Sequence, residues 1–570
     1  MKLVNRLVRG VHIAAAAEAM AFAEAPGLTA ARCRRVLRAG AAAPFMLDDR
    51  GPDGGGPVRA GQVIQWGQVR GHGRGIDVRR CTMGAGGIRA EPMDPADVVW
   101  LHMDRPTNLM VVNTVLWFDV PVDHASVLQV FQERLVSRFR RFRQRAADPA
   151  LTLAPWAGPE WVDDAGFALA DHVSRTRLPA PGDQRALQQA ASDLAGRPLR
   201  KDRPLWEVHL LDGYGDGGAL LLRTHHAIAD GGALVQVLLS LTDPLDAGEH
   251  TGVLAVHDDA AGPPLLAGPG GRAIATARRA GSAAGDLGAV LRAALTDPRK
   301  AAGLAGLARA DAAMLGKLGF GLTADRNLLQ GPLAPGKQRA WTRPVPVEAV
   351  KAAGAATGNS VNDLMLAAIT SALRRYLLEH DSLTEEVIVI VPVDLRPADA
   401  PLPAGLGNEF GLVFVRLPTG ETDQGCRRAR VKAQMDQIKT SREGVFVYTM
   451  LQWMGQLPAA VQNAWVDAFA GKATAIVTNV AGPRHRVQLA GTPVAGMAGW
   501  VPVTGPLGLG LSIVSYAGQL SVGLASDTRL LPDHDRLLSL LNEEIGALPT
   551  QTASFSPPEP GSCGPGAEGM

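Results

Sequence analysis

"LLRTHHAIADGGALVQVLL", residues 221–239, decides how the rest of the chain is read. With the residues before it, "GALLLRTHHA" reads as a buried strand, and "GGALVQVLLSL" reads as the helix that follows. Side chains alternate along a strand, so Leu222, Thr224 and His226 face one way and Leu221, Arg223 and His225 the other. The adjacent histidines therefore cannot share one task. Asp230 stands at the helix start, where its carboxylate caps the helix or holds a cation, and Gly231 and Gly232 permit close backbone approach. Imidazole titrates near neutrality, so a histidine fixed at a strand end can take a proton from a hydroxyl and return it to a leaving group. The residues alone also allow a plain hydrogen-bonded strand histidine. A metal pair is disfavoured, because adjacent strand positions deny two ligands a shared side. There is no G-x-S-x-G elbow and no phosphate loop, and no G-x-G-x-x-G leads from a strand into a helix; the glycines of "GPLGLGLS" open no helix.

At 570 residues the chain exceeds one ordinary core, so two or more domains are expected. A 46% hydrophobic and 20% charged composition fits a globular protein. A net charge of +2 and only 5% aromatics argue against a dedicated nucleic-acid binder. Cys33, Cys81, Cys426 and Cys563 are scattered without metal-ligand spacing, so no disulfide framework is expected and a reducing cytosol is the natural compartment. No run of 18 apolar residues occurs, so no transmembrane helix is expected. The start, "MKLVNRLVRGVHIAAAAEAMAFAEA", is broken by His12, Glu18 and Glu24, and reads as an amphipathic helix rather than a signal peptide.

The organisation follows. Residues 1–52 read as Ala-rich helix, and 53–90 as a glycine-rich disordered linker. An α/β half occupies 91–245. It holds a short helix capped by Asp94 or Asp97, the strand "LMVVNTVLWFDV", a helix in "DHASVLQVFQERLVSRFRRF", a polar loop with Trp156 and Trp161, a helix near 183–195, and the two strands around "DGYGDGG". Residues 246–337 form a connector, in which 271–320 carry eight Lys/Arg against three Asp. That segment reads as a helix with a basic face, either a solvated connector or a membrane-surface element. A second α/β half, 338–550, holds "NSVNDLMLAAITSALRRYL", "EVIVIVPVDL", "FGLVFVRLP", a helix near 424–441, "TAIVTNVAG", a hairpin turning at Ala517-Gly518, and a final helix from Asp533. Residues 551–570 read as a disordered tail.

"HHAIADG" resembles the HHxxxDG motif of the coenzyme A-dependent acyltransferase superfamily. Further stretches resemble its wax ester synthase/diacylglycerol acyltransferase branch: "MDPADVVWLHMD", "RPLWEVHLLDG", "VNDLMLAAITSALRRYL", "VPVDLRP", "LGNEFGLVFVRLP", "TNVAGP" and "LSIVSYAGQLSVGLASD", in order across residues 90–548. The resemblance implies two chloramphenicol acetyltransferase-like domains, each a mixed sheet flanked by helices, with the active-site tunnel between them. It implies that His226 is the general base for transfer of a long-chain acyl group from acyl-CoA to a diacylglycerol or long-chain alcohol, with no acyl-enzyme, no metal and no cofactor. His225 and Gly231 would support the site, and Asp230 would brace it, with Arg396 as candidate partner. Pro204, Leu205 and Trp206 match the family's PLW motif and, with Thr224, are expected along the substrate tunnel; packing at the strand start is the rival use. Asn362 and Asp363 match its ND motif, and Asn362 either donates to the developing oxyanion or caps its helix. A condensation-type transfer to another hydroxyl or amine, or a lipid-binding relative without catalysis, are the alternatives. Contact with a membrane or lipid-inclusion surface follows from such substrates; no nucleic acid is expected. Residues 1–52 instead resemble the C-terminal helical region of β-hydroxyacid dehydrogenases, with Lys2 and Asn5 near that family's lysine and asparagine. Residues 1 to about 90 are expected to be dispensable.

Overall fold

Val111–Phe118, "VVNTVLWF", is apolar and β-branched at most positions, and it forms strand β1 with both faces covered. In the computed structural model, residues 90–148, 158–245, 325–396 and 406–550 are described. The helices expected in 1–52, the linker up to residue 89, the basic segment 271–320 and the tail 551–570 lie outside them.

The first sheet gathers β1, β2 (Val173–Arg177), β3 (Trp206–Tyr214), β4 (Gly217–His225) and β10 (Gly496–Trp500), in the order β10-β1-β4-β3-β2. The second gathers β5 (Lys337–Trp341), β6 (Val345–Pro346), β7 (Val387–Asp394), β8 (Phe410–Leu417), β9 (Ala475–Ala481), β11 (Leu509–Tyr516) and β12 (Gln519–Asp527). Its order is β6-β12-β11-β9-β7-β8, with β5 also paired to β12. Both sheets are mixed: β2 runs parallel to β3, β7 to β9, and β9 to β11, and the remaining pairs are antiparallel.

Parallel neighbours need a crossover. From β9 to β11 that crossover passes through β10, which leaves its own half and pairs antiparallel with β1, Gly496 opposite Trp117 and Trp500 opposite Asn113. "GMAGW" carries no strand-forming pattern, and no strand is expected there from the sequence. Glycine is required at 496, because a Cβ there would lie 2.2 Å from the Trp117 ring.

Helices cover the sheets: α1 (Pro95–His102), α2 (His124–Val130), α3 (Gln184–Ala195), α4 (Gly231–Leu241), α5 (Val347–Thr357), α6 (Val361–Glu379), α7 (Gln424–Thr440), α8 (Glu443–Met454), α9 (Ala459–Ala470) and α10 (His534–Ala547). The period-2 pattern of β7 divides the core. Val387 and Val389 meet α6 and α10, whereas Ile388 and Ile390 join the cluster that holds β1, β4, α1 and α4. The hairpin turns at Ala517 and Gly518, both at positive φ as a two-residue turn of this hand demands.

Several expectations fail locally. The single helix read over 123–142 becomes α2, then a π turn (Phe131–Val136), because Ser137 directs both its N–H and its hydroxyl to the Gln132 carbonyl. The loop with Trp161 is a strand, Glu160–Asp163, where Arg141 stacks 4.4 Å from the indole. Helices α8 and α9 were not anticipated. No helix among the described residues is long and apolar enough to cross a membrane.

Candidate active site

Strand β4 ends at His225, and two backbone bonds fix its end: the His225 N–H donates to Leu205 O at 2.9 Å and the His226 N–H to Met110 O at 2.7 Å. Ala227–Ala229 turn inward, fully buried. Asp230 then caps α4, accepting from the Ala233 N–H at 2.9 Å. Its other oxygen accepts from the Glu409 N–H at 2.9 Å, and the Arg396 guanidinium donates to the capping oxygen. Arg396 also reaches Asp394 at 3.3 Å. Asp230 is therefore committed to a helix cap, a buried ion pair and the 406–409 loop, which ties the two halves together here. The close backbone approach belongs to Gly232, where a Cβ would lie 2.6 Å from Asp394; Gly231 faces open space.

The imidazoles part as alternation requires. His225 is enclosed on the far side: its Nδ1 accepts from the Ala227 N–H at 3.1 Å, and its Nε2 lies 3.8 Å from Asp104. Burial pushes it down to about 4, so it stays neutral at physiological pH.

His226 stacks on Trp100, ring centroids 4.4 Å apart, with Phe410 at 5.5 Å. Its Nδ1 lies 2.8 Å from Asn408 Oδ1. The Asn408 Nδ2 lies 2.8 Å from both Asp97 Oδ1 and the His226 carbonyl. Two acceptors there fix the NH₂ group, so Oδ1 must be the acceptor for His226, and Nδ1 must carry the proton. Nε2 thus keeps its lone pair, and no group among the described residues bonds it. Burial lowers the His226 pKa, while the charge of Asp230 and the Asn408 bond act upward. Burial pushes Asp97 the other way, up to about 8, against the Asn408 bond.

On the Thr224 face of β4 opens a cavity lined mostly by apolar groups that include Val112, Leu222, Leu234, Val480 and Trp500. The Thr224 hydroxyl is buried in its wall without a hydrogen-bond partner.

The other sequence candidates sit apart from this network. The Trp206 indole donates to Phe142 O at 2.9 Å and stacks on His172, a packing use, and Pro204 and Leu205 are buried beside it. Asp363 closes a capping box with Ser360 at the start of α6, and Asn362 is half-buried next to it; no bond of the His226 network reaches either. Asp97, Trp100, Asn408 and Phe410 join the site without being sequence candidates for it, although all four lie in two stretches that carry the resemblance, "MDPADVVWLHMD" and "LGNEFGLVFVRLP". Asp94, not Asp97, caps α1. Among the described residues no cluster of three or more His, Cys, Asp or Glu could hold a metal.

Residues 93–365 match the family model of the wax ester synthase/diacylglycerol acyltransferase catalytic domain, and 406–548 that of the WS/DGAT C-terminal domain. Residues 1–54 match a third, described as NAD-binding of NADP-dependent 3-hydroxyisobutyrate dehydrogenase. Tgs4 of Mycobacterium tuberculosis, named a probable diacylglycerol O-acyltransferase, is 27% identical over 491 residues, 82% of this chain and 98% of the relative. The wax ester synthase/diacylglycerol acyltransferase from Marinobacter aquaeolei VT8 has a similar fold, with TM-score 0.56, 23% identity, and 81% of this chain and 99% of that one covered. The first condensation domain of the calcium-dependent antibiotic synthetase follows with TM-score 0.51, 17% identity, and 81% and 96% coverage.

Proposed function

The chain belongs to the wax ester synthase/diacylglycerol acyltransferase family, and on that premise we propose that His226 is the general base of an acyl-CoA-dependent O-acyltransferase. The substrates are a long-chain acyl-CoA and the hydroxyl of a diacylglycerol or long-chain alcohol. The observation that carries this reading is the imidazole whose Nδ1–H is held by Asn408 while Nε2 is unbonded among the described residues, two positions along the chain from Thr224 in the wall of an apolar cavity.

His226 Nε2 takes the acceptor's hydroxyl proton as its oxygen bonds to the thioester carbonyl carbon. The carbonyl oxygen becomes a tetrahedral oxyanion. Its collapse re-forms the carbonyl and breaks the C–S bond, and the departing coenzyme A sulfur receives the proton from Nε2. An ester and a free thiol result, with no acyl-enzyme. While His226 carries the proton, the Asp230 charge and the Trp100 ring face favour the cation. Asp230, braced by Arg396, keeps the loop between β4 and α4 in place. The cavity takes the acyl chain, with Thr224 in its wall. Halves 91–245 and 338–550 act together around this site, 246–337 connects them, and residues 1–90 are dispensable to the chemistry. Peripheral contact with a membrane or lipid inclusion supplies the insoluble acceptor.

Purified protein supplied with labelled palmitoyl-CoA and, in parallel, hexadecanol or dipalmitoylglycerol tests the reading. Labelled ester with at least one acceptor is expected; hydrolysis alone, or no turnover with either, would refute it.

A further inference from the structure

Residues 444–466, "GVFVYTMLQWMGQLPAAVQNAWV", contain no charged residue, in a chain that is 20% charged. They build most of α8 and α9 and the turn between them. Helix α8 buries Val447, Leu451 and Met454 in the core. Phe446, Met450 and Trp453 form a second apolar stripe within about 60° of arc. A surface helix ordinarily sets polar residues opposite its core stripe. Here Trp453 is 70% exposed and Leu457, just past the helix, 39% exposed, with Phe446 and Met450 half-buried behind them. An exposed apolar patch of this kind marks an interaction surface.

The charges at its borders select the partner. Glu443 is buried and accepts from the Phe414 N–H at 2.8 Å, and Asp467 is paired with Arg105 at 2.8 Å. Arg442 immediately precedes α8 and Lys472 follows α9, while Lys439 is paired with Asp436 at 3.0 Å and the exposed Asp94 carboxylate accepts from Gln452 Nε2 of α8 at 2.8 Å. The patch is thus apolar and Trp-tipped, with Arg442 and Lys472 at its two ends and the neighbouring carboxylates engaged in hydrogen bonds or ion pairs, which suits the headgroup zone of a phospholipid bilayer. Each helix has 12 residues, about 18 Å, too short to span one. Helix α8 packs on α1 and β8, which carry Asp97, Trp100 and Phe410 around His226.

We propose that the α8–α9 hairpin docks this protein on a phospholipid surface, with Trp453 and Leu457 inserted, one helix layer from the base. The proposal rests on the acyl-transfer reading only in that the acceptor is dissolved in such a surface.

Co-sedimentation of the full chain with phosphatidylcholine vesicles, with and without phosphatidylglycerol, tests it. The Trp453→Glu/Leu457→Glu variant changes exposed positions, and unchanged thermal unfolding verifies its fold. Its vesicle partition is expected to fall about tenfold or more, with transfer to a detergent-dispersed acceptor unchanged and Trp453→Phe still bound. Sedimentation of the double variant equal to wild type would overturn the proposal. So would a wild type that ignores vesicles yet forms a dimer which the double variant dissociates, since the face would then belong to a second copy. A wild type silent toward every hydroxyl acceptor would sink the acyl-transfer reading instead, and the sedimentation result would still decide the surface.

Discussion

Asp97 separates two accounts of how His226 is supported. In one, a buried carboxylate transmits negative charge through Asn408 to the imidazole. In the other, Asp97 is a neutral acid that merely accepts from Asn408 Nδ2. Burial pushes its carboxyl from 3.8 up to about 8, so at pH 7 about nine-tenths of native molecules hold the proton. The unfolded chain has released it. Native Asp97 is therefore protonated where unfolded Asp97 is not, and stability falls as pH rises from about 4 to about 8, then levels. At pH 7 the cost is about 3 pH units at 1.36 kcal/mol each, or roughly 4 kcal/mol. Asp97→Asn removes the titration and keeps an oxygen to accept from Asn408. Its urea-unfolding free energy is expected to exceed that of wild type by a few kcal/mol at pH 7 and to lose the slope between pH 4 and 8. Turnover should stay within about threefold, since the neutral acid and the amide offer the same acceptor. A less stable Asp97→Asn with the slope intact, or a turnover loss of about a thousandfold or more, would refute the neutral-acid account.

Other expectations follow from the same contacts. Asn408→Ala frees the His226 tautomer, and kcat should drop about 10²-fold or more with KM little changed, measured by steady-state transfer. Arg396→Met strands the buried Asp230 carboxylate, and unfolding free energy should fall by about 3–5 kcal/mol in denaturant titration. A chain lacking residues 1–89 should transfer acyl groups at the full-length rate, which comparison of the two purified proteins checks.

Sheet-forming segments with strong β-branched character, such as Val111–Phe118 and Val387–Asp394, were legible in the sequence because burial on both faces over most of their length leaves a largely apolar run. Gly496–Trp500 was not, because its strand identity comes from pairing with β1 rather than from its own residues. The motif placed His226, His225 and Asp230 through strand alternation and capping, both local rules. Asn408 bonds a histidine 182 positions away, and Asp97 lies 311 positions from Asn408. Neither has a periodic signal, and an aspartate two residues after a helix-starting proline reads as a cap before it reads as a buried partner. Asn362 and Asp363 show the converse, since a motif match drew attention to a turn that Asp363 spends on capping its own helix.

The central claim, that His226 Nε2 moves the proton, is tested most directly by single-turnover transfer from labelled palmitoyl-CoA to dipalmitoylglycerol in wild type and His226→Ala. The account predicts a rate lower by about 10²–10⁴-fold in the variant, with its thermal unfolding preserved and acyl-CoA still bound. Equal rates in the two proteins would contradict it.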